Sequence, residues 1–295
     1  MTDALRNLNG SSHAVVNMRF AFNPRLIPLN RRSYVQQLQL AIENAVRLSF
    51  DIIEISLGLE GYDLGLDTLF GGDFLDVMKS SPTSYHLHLF HDTAKKTGAS
   101  LTDIQSYPRS LALRRAVQVV EFFERRHPVE MYVVHPGLRY GPTEEHLASL
   151  RESLQTLDSL FPGLPMAVEN GDPSGPLADF DTLLAFLDAT PNARFAFHTG
   201  LAFQSVGSSQ RAFEDRLGYM RRFGERLAEI RWNNTAPGKQ ATLPLHFSLE
   251  DGLDPGKVIR ILGRNPGTVH LIETVGNDAA ALVRERRALH SALVA

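Results

Sequence analysis

The chain has 295 residues, 43% of them hydrophobic, which is enough for one large core. Its net charge of −3 is not the strongly basic balance of a general nucleic-acid binder. Its complete lack of cysteine rules out disulfides, thiolate metal ligands and a cysteine nucleophile within these residues.

Residues 1–12 read as a short polar lead-in, and residues 13–295 as a single domain with no Pro/Gly/Ser-rich linker dividing it. The opening "MTDALRNLNGSSHAVVNMRF" lacks the basic stretch and following apolar stretch of a secretory leader. No run approaches the ~18 apolar residues of a membrane span, so a cytoplasmic protein without a membrane partner is expected. The arginines of "LRRAVQVVEFFERR" and "YMRRFGERL" sit at helical spacing among acids, the pattern of solvated helix faces.

Short apolar runs alternate with helical patterns along the chain. The candidate strands are "HAVVNMRFAF" (13–22), "DIIEISLG" (51–58), "YHLHLFHD" (85–92), "EMYVVHPG" (130–137), "PMAVENG" (165–171), "ARFAFHTG" (193–200), "AEIRWNN" (228–234) and "TVHLIETV" (268–275). Helical segments follow them, with the unit after the second strand the least distinct. The segment after the fourth opens on Thr143 as a cap with Glu144 and Glu145 in its first turn. "DFDTLLAFLDATP" opens on an Asp cap and stops before Pro191. Repeated units of this length require parallel strands with helical crossovers, and eight of them predict a closed (β/α)8 barrel of the TIM type. The other architecture is an open doubly wound sheet, in which the first and eighth strands would not pair. Two segments after strands, 60–73 and 233–252, read as long loops on the face where barrels build active sites.

What ends each strand is the informative feature. The second strand carries Glu54, the third His86 and His88, and the fourth ends in His135. The fifth ends in Glu169, the sixth in His198 and the eighth in Glu273. The seventh carries Glu229, Arg231 and Asn233, and His246 lies in the loop after it. Side chains alternate along a strand, so Val133 shares a face with His135, Ala167 with Glu169, Ala196 with His198, and Leu271 with Glu273. The small and branched members suit a barrel interior, which aims the polar members at the mouth of the same axis. Imidazole and carboxylate converging from different strands are the ligand types of zinc, manganese or iron. A single histidine after a strand is more often a loop residue, and His127, His146, His270 and His290 are read as surface or packing residues. Unrelated burial does not explain His135, Glu169 and Glu273 together at equivalent strand ends. Trp232 has the opposite parity to Arg231 and is read as packing.

In order and spacing, "DIIEISL", "VVHPG", "AVENG", "HTGLAF", "EIRWNN" and "LIETV" resemble the xylose isomerase-like barrels. That superfamily includes endonuclease IV and the sugar-phosphate isomerases and epimerases, and the resemblance covers nearly the whole chain. It implies that His135, Glu169 and Glu273 bind metal. It assigns the family's third-strand histidine to His88, with His86 as the alternative, and its loop histidine to His246. The chain departs from the pattern at two strands. His198 and Leu201 stand where the sixth strand usually presents an Asp and a His, and Arg231 stands at the usual histidine of the seventh. The Asp that precedes the loop histidine by two residues in the endonuclease is here Pro244.

Three functions follow. The first is a divalent-metal-dependent isomerase or epimerase of a sugar or sugar phosphate. Glu169, Glu273 and His198 would be its catalytic groups, and His135, Glu169, His198, His246 and Glu273 its metal shell. Arg231 would hold an anionic part of the small-molecule substrate, with His88, Glu54 and Asn233 lining the site. The second is an endonuclease-like phosphodiesterase, favoured by the number of histidines and opposed by the acidic balance. The third is a barrel that has lost metal and binds a small ligand or performs acid–base chemistry directly. A homo-oligomer is compatible with each.

Overall fold

A computed structural model describes residues 18–24, 26, 31–57, 65–89, 100–127, 129–137, 144–171, 175–233, 253–263, 265–273 and 279–294. The lead-in, Thr143 and the predicted loop from residue 234 to 252, with His246, lie outside the described residues.

All eight candidate strands form: β1 (Arg19–Phe22), β2 (Ile52–Leu57), β3 (Ser84–Leu89), β4 (Met131–Val134), β5 (Met166–Glu169), β6 (Arg194–His198), β7 (Leu227–Trp232) and β8 (Val269–Ile272). They pair in parallel in sequence order and close into a barrel. Closure is made by β1 against β8, where Arg19, Phe20, Ala21 and Phe22 face Val269, His270, Leu271 and Ile272. That pairing excludes the open doubly wound sheet.

Alternation sorts the strand residues into two cores. Phe20, Phe22, Ile53, Ile55, Leu87, Tyr132, Phe195, Phe197, Ile230 and Trp232 point outward into the main apolar layer beneath the helices. Met131, Val133, Ala167, Ala196 and Ala228 form one inner group, and Ala21, Ile52, Val269 and Leu271 another. Apart from Met131 the inner residues are small or branched, which suits a narrow barrel axis. Trp232 is packing, as its parity requires, and its indole N–H donates to Nδ1 of buried His270 at 3.2 Å.

Helices wrap the barrel: α1 (Arg31–Leu48), α2 (Leu66–Phe70), α3 (Asp73–Ser80), α4 (Ser106–Arg126), α5 (Glu144–Leu160), α6 (Phe180–Ala189), α7 (Thr199–Ser205), α8 (Gln210–Met220), α9 (Pro255–Leu262) and α10 (Ala279–Val294). Asp179 caps α6 as expected, accepting the Thr182 N–H at 2.8 Å. Two expectations are corrected. The segment 60–73 contains α2 rather than loop throughout, because Leu69 and Phe70 bury there and the Phe70 ring meets Tyr34, Phe74, Phe122 and Phe123. "YMRRFGERL" is not wholly a solvated face, because Arg226 donates to the carbonyls of Ala193, Leu187 and Thr190 at 2.8–2.9 Å and closes the end of α6. Among the described residues no helix is long and apolar enough to cross a membrane.

One carboxyl outside the barrel axis stands out. Glu285 on α10 is 1% exposed, and its Oε2 has no hydrogen-bond partner among the described residues. Burial pushes its pKa from 4.5 up to about 7, although Arg284 opposes the shift. Between those values the folded state holds a proton that the unfolded chain releases, so stability falls as pH rises. Glu285→Gln should therefore flatten the loss of melting temperature from pH 4.5 to 7 and add up to about 3 kcal/mol at pH 8. Thermal melts across this range, wild type against variant, check it.

Candidate functional site

Every strand sends a polar side chain inward toward the C-terminal mouth. Asn23 follows β1, β2 supplies Glu54 and Ser56, and β3 supplies His86 and His88. His135 follows β4, Glu169 ends β5 and His198 ends β6. Glu229, Arg231 and then Asn233 come from β7, and Glu273 follows β8. The parity reading thus places His135, Glu169, His198 and Glu273 correctly around one axis. His86 and His88 are not alternatives. Two residues apart on one strand, they share a face, and both point inward.

Arg231 is the centre of this set. It is 1% exposed, and its guanidinium meets carboxylates from four strands. Nη1 donates to Glu54 Oε2 at 2.5 Å and to Glu229 Oε1 at 3.1 Å, and Nη2 donates to Glu54 Oε1 at 2.9 Å. Nε lies 3.2 Å from Glu169 Oε1, and Nη2 lies 3.6 Å from Glu273 Oε1. Asn23 Nδ2 adds donors to Glu54 Oε1 at 2.8 Å and Ser56 Oγ at 2.7 Å. His86 Nδ1 is 2.8 Å from Glu229 Oε2, and His88 Nε2 is 2.9 Å from Glu169 Oε2.

The charges are mutually fixed. Burial works against the charge on Arg231, but Glu169, Glu54, Glu273 and Glu229 outweigh it and hold the guanidinium protonated. Burial likewise raises the carboxyls of Glu54 and Glu169, and Arg231, followed by His88, brings both below the usual carboxylate value. Burial lowers His88, but the carboxylates of Glu169 and Glu54 raise it further than burial and Arg231 lower it, so the imidazolium is favoured.

Nearer the mouth the imidazoles are set by backbone donors. His198 caps α7, and its Nδ1 accepts the Leu201 N–H at 3.2 Å. Its proton therefore sits on Nε2, which lies 2.9 Å from Glu273 Oε2. His135 Nδ1 accepts the Gly137 N–H at 3.0 Å, so its neutral ring also carries the proton on Nε2. Asn170 holds the end of β6 by accepting the His198 N–H at 2.5 Å and donating to the His198 carbonyl at 3.2 Å. Thr199 Oγ1 does the same for β7, bridging the carbonyls of Arg231 and Asn233 at 3.1 and 3.0 Å.

These contacts revise the expected roles. Arg231 is not a free cation for a substrate anion, because its donors face protein carboxylates. Glu54 is 0% exposed and engaged by Arg231 and Asn23. Asn233 Nδ2 lies 3.4 Å from Glu273 Oε2, and His88 sits between Glu169 and Glu54. His135, His198 and Glu273 are buried but more exposed than Arg231 and the other carboxylates of the site. His246 lies outside the described residues. Asn23, Ser56 and Asn170 belong to the site and are not among the residues read from the sequence, and Glu229, named there on the seventh strand, is given no role. Glu229 was legible, since it shares parity with Arg231.

The resemblance implies a divalent ion here, and the side chains as they stand do not fit one. An ion between Glu169 and Glu273 would compete with the guanidinium for their oxygens. His135 and His198 present a protonated Nε2 while Nδ1 is taken by a backbone donor, whereas a ligating ring nitrogen must offer its lone pair. Among the described residues no group of three or more His, Asp or Glu is arranged to hold a metal ion.

Gly137 tests the positioning of His135. It has φ +93°, and a Cβ there would lie 2.0 Å from Ser100 Oγ. Gly137→Ala should destabilise by about 1–3 kcal/mol and shift the His135 ring resonances. Denaturant titration and imidazole NMR check both, and unchanged His135 signals would remove Gly137 from its control.

No family model matches the sequence, and no curated protein does. Solved structures do. A xylose isomerase domain protein from Alicyclobacillus acidocaldarius subsp. acidocaldarius aligns with a TM-score of 0.60 at 14% identity, over 94% of this chain and 99% of that one. A protein named for xylose isomerase from Rhodospirillum rubrum aligns with a TM-score of 0.65 at 13% identity, over 93% and 99%. At these identities the likeness is one of fold.

Proposed function

We propose that this barrel is an isomerase- or epimerase-class enzyme that moves a proton on a small hydroxylated carbonyl compound at its mouth. Protein carboxylates and imidazoles carry the proton, without dependence on a divalent ion. The observation that carries the reading is the His198–Glu273 pair, with His198 Nε2 at 2.9 Å from Glu273 Oε2 and both groups near the opening. A carboxylate accepting from a tautomer-locked imidazole is an acid–base unit in position. Glu273 is the base that takes a proton from carbon next to a carbonyl, and His198 orients it. His135 offers an Nε2–H to the carbonyl oxygen, where negative charge grows as the proton leaves. Glu169 and His88 lie deeper and fix the field through Arg231.

A metal-dependent isomerase is the second reading, favoured by the four carboxylates that surround one guanidinium. Those same carboxylates disfavour a phosphodiester substrate, which would bring further negative charge to an acidic interior.

Solvent-deuterium exchange tests the proposal. The protein is incubated in D2O and excess EDTA with a panel of aldoses, ketoses and their phosphates, and deuterium on carbon is read by NMR. We expect incorporation into at least one compound, and a loss of about 100-fold or more in Glu273→Gln and in His198→Gln with the fold retained. Incorporation that appears solely after adding Mn2+, Zn2+ or Co2+ would favour the second reading. No incorporation under any of these conditions would leave a ligand-binding barrel rather than an enzyme.

A further inference from the structure

Arg231 occupies the point where carboxylates from four strands meet, with nitrogen–oxygen distances from 2.5 to 3.6 Å. Glu54 and Glu229 take its Nη1, Glu169 faces Nε, and Glu273 faces Nη2. A convergent cluster of this kind, closed to water, cannot stay ionised without a counter-cation, since each unpaired buried carboxylate would carry a large desolvation penalty. In this chain the counter-cation is covalently attached. It arrives on β7, and its stem ends at the centre of the carboxylate ring.

We infer that the Arg231 guanidinium is a resident cation standing where a divalent ion would sit, and that Glu54, Glu169, Glu229 and Glu273 form a latent divalent-cation site which the guanidinium keeps closed. Removing the side chain beyond Cβ vacates the centre and leaves the carboxylates facing one another, with the His88 imidazolium as the nearest remaining positive group. Such a set must protonate, spread apart or take up a cation. Oxygen ligands from several rigid strands suit a hard or borderline ion such as Mn2+. The inference goes beyond the proposed reaction. It is read without substrate, so its failure and the failure of the exchange assay are separate results.

The test is Mn2+ binding by full-length wild type, Arg231→Lys, Arg231→Ala and the double variant Arg231→Ala/Glu54→Gln, each stripped with chelator and dialysed. Free Mn2+ is followed by electron paramagnetic resonance, and melting temperature is followed with and without Mn2+. Wild type and Arg231→Lys should bind no Mn2+ with useful affinity and show no melting shift. Arg231→Ala should bind about one ion per chain and melt at a higher temperature when it is present, because the ion binds the folded state alone. The double variant should bind at least about 10-fold more weakly. Stoichiometric Mn2+ binding by wild type would overturn the inference, because ion and guanidinium would then coexist. A folded Arg231→Ala that binds none would overturn it too. Should Arg231→Ala be unfolded after stripping, Mn2+ should restore its circular dichroism spectrum, and failure to do so counts equally against the inference.

Discussion

The interior of this barrel depends on one guanidinium. Arg231 is a long cationic side chain held at 1% exposure, and it is tolerable there because carboxylates of β2, β5, β7 and the end of β8 meet it. The dependence runs both ways. Without Arg231, Glu54 and Glu169 would lose the partner that does most to keep them ionised. Buried ion pairs of this sort are weak sources of stability, because desolvation offsets much of their attraction. Their effect here is geometric, since one planar fork fixes the orientation of side chains from opposite walls of the barrel.

Around this centre and above it the barrel solves different problems. Around it, Ala21, Ala167, Ala196 and Ala228 with Ile52, Val133 and Val269 supply the apolar part of the axis. Above it, the chain leaves the strands and backbone N–H groups become available. Those of Gly137 and Leu201 take Nδ1 of His135 and His198, which sets both tautomers without using another charged group. The mouth therefore carries imidazoles of fixed orientation above the charged cluster. The bulge between β6 and β7 near Ala196 helps, because it lets Ala228 join the inner apolar group while Glu229 and Arg231 also face the axis.

Much of this was legible in the sequence, for a local reason. Period-two alternation is a property of each strand alone, so "MYVVHPG" shows by itself that His135 shares a face with Val133, and the number of such strands implies closure. The same rule makes Glu229 and both His86 and His88 inward-facing. What alternation cannot give is which inward groups touch. Arg231 and Glu54 are separated by 177 positions and meet across the barrel. The tautomers of His135 and His198 depend on turns that follow the strands. Hence Arg231 reads from the sequence as a cation awaiting a substrate anion, and in the fold it is already spent on protein carboxylates. The short helix α2 was hidden for another reason. Its glycine-rich flanks look like loop, and the aromatic partners that bury Phe70 come from three other helices.

A guanidinium and a divalent ion are not equivalent centres for chemistry. An ion accepts lone pairs, so it can bind a carbonyl oxygen directly and draw charge from it. A guanidinium offers N–H groups in one plane and a single positive charge, and here those N–H groups already point at glutamates. It can shape the field around a reacting group but cannot take a substrate oxygen without releasing a carboxylate. In the proposed reaction, work on a substrate is therefore assigned to Glu273, His198 and His135 rather than to the larger charged cluster. The cluster would act from behind, through the 3.6 Å approach of Arg231 Nη2 to Glu273, by holding that carboxylate in place.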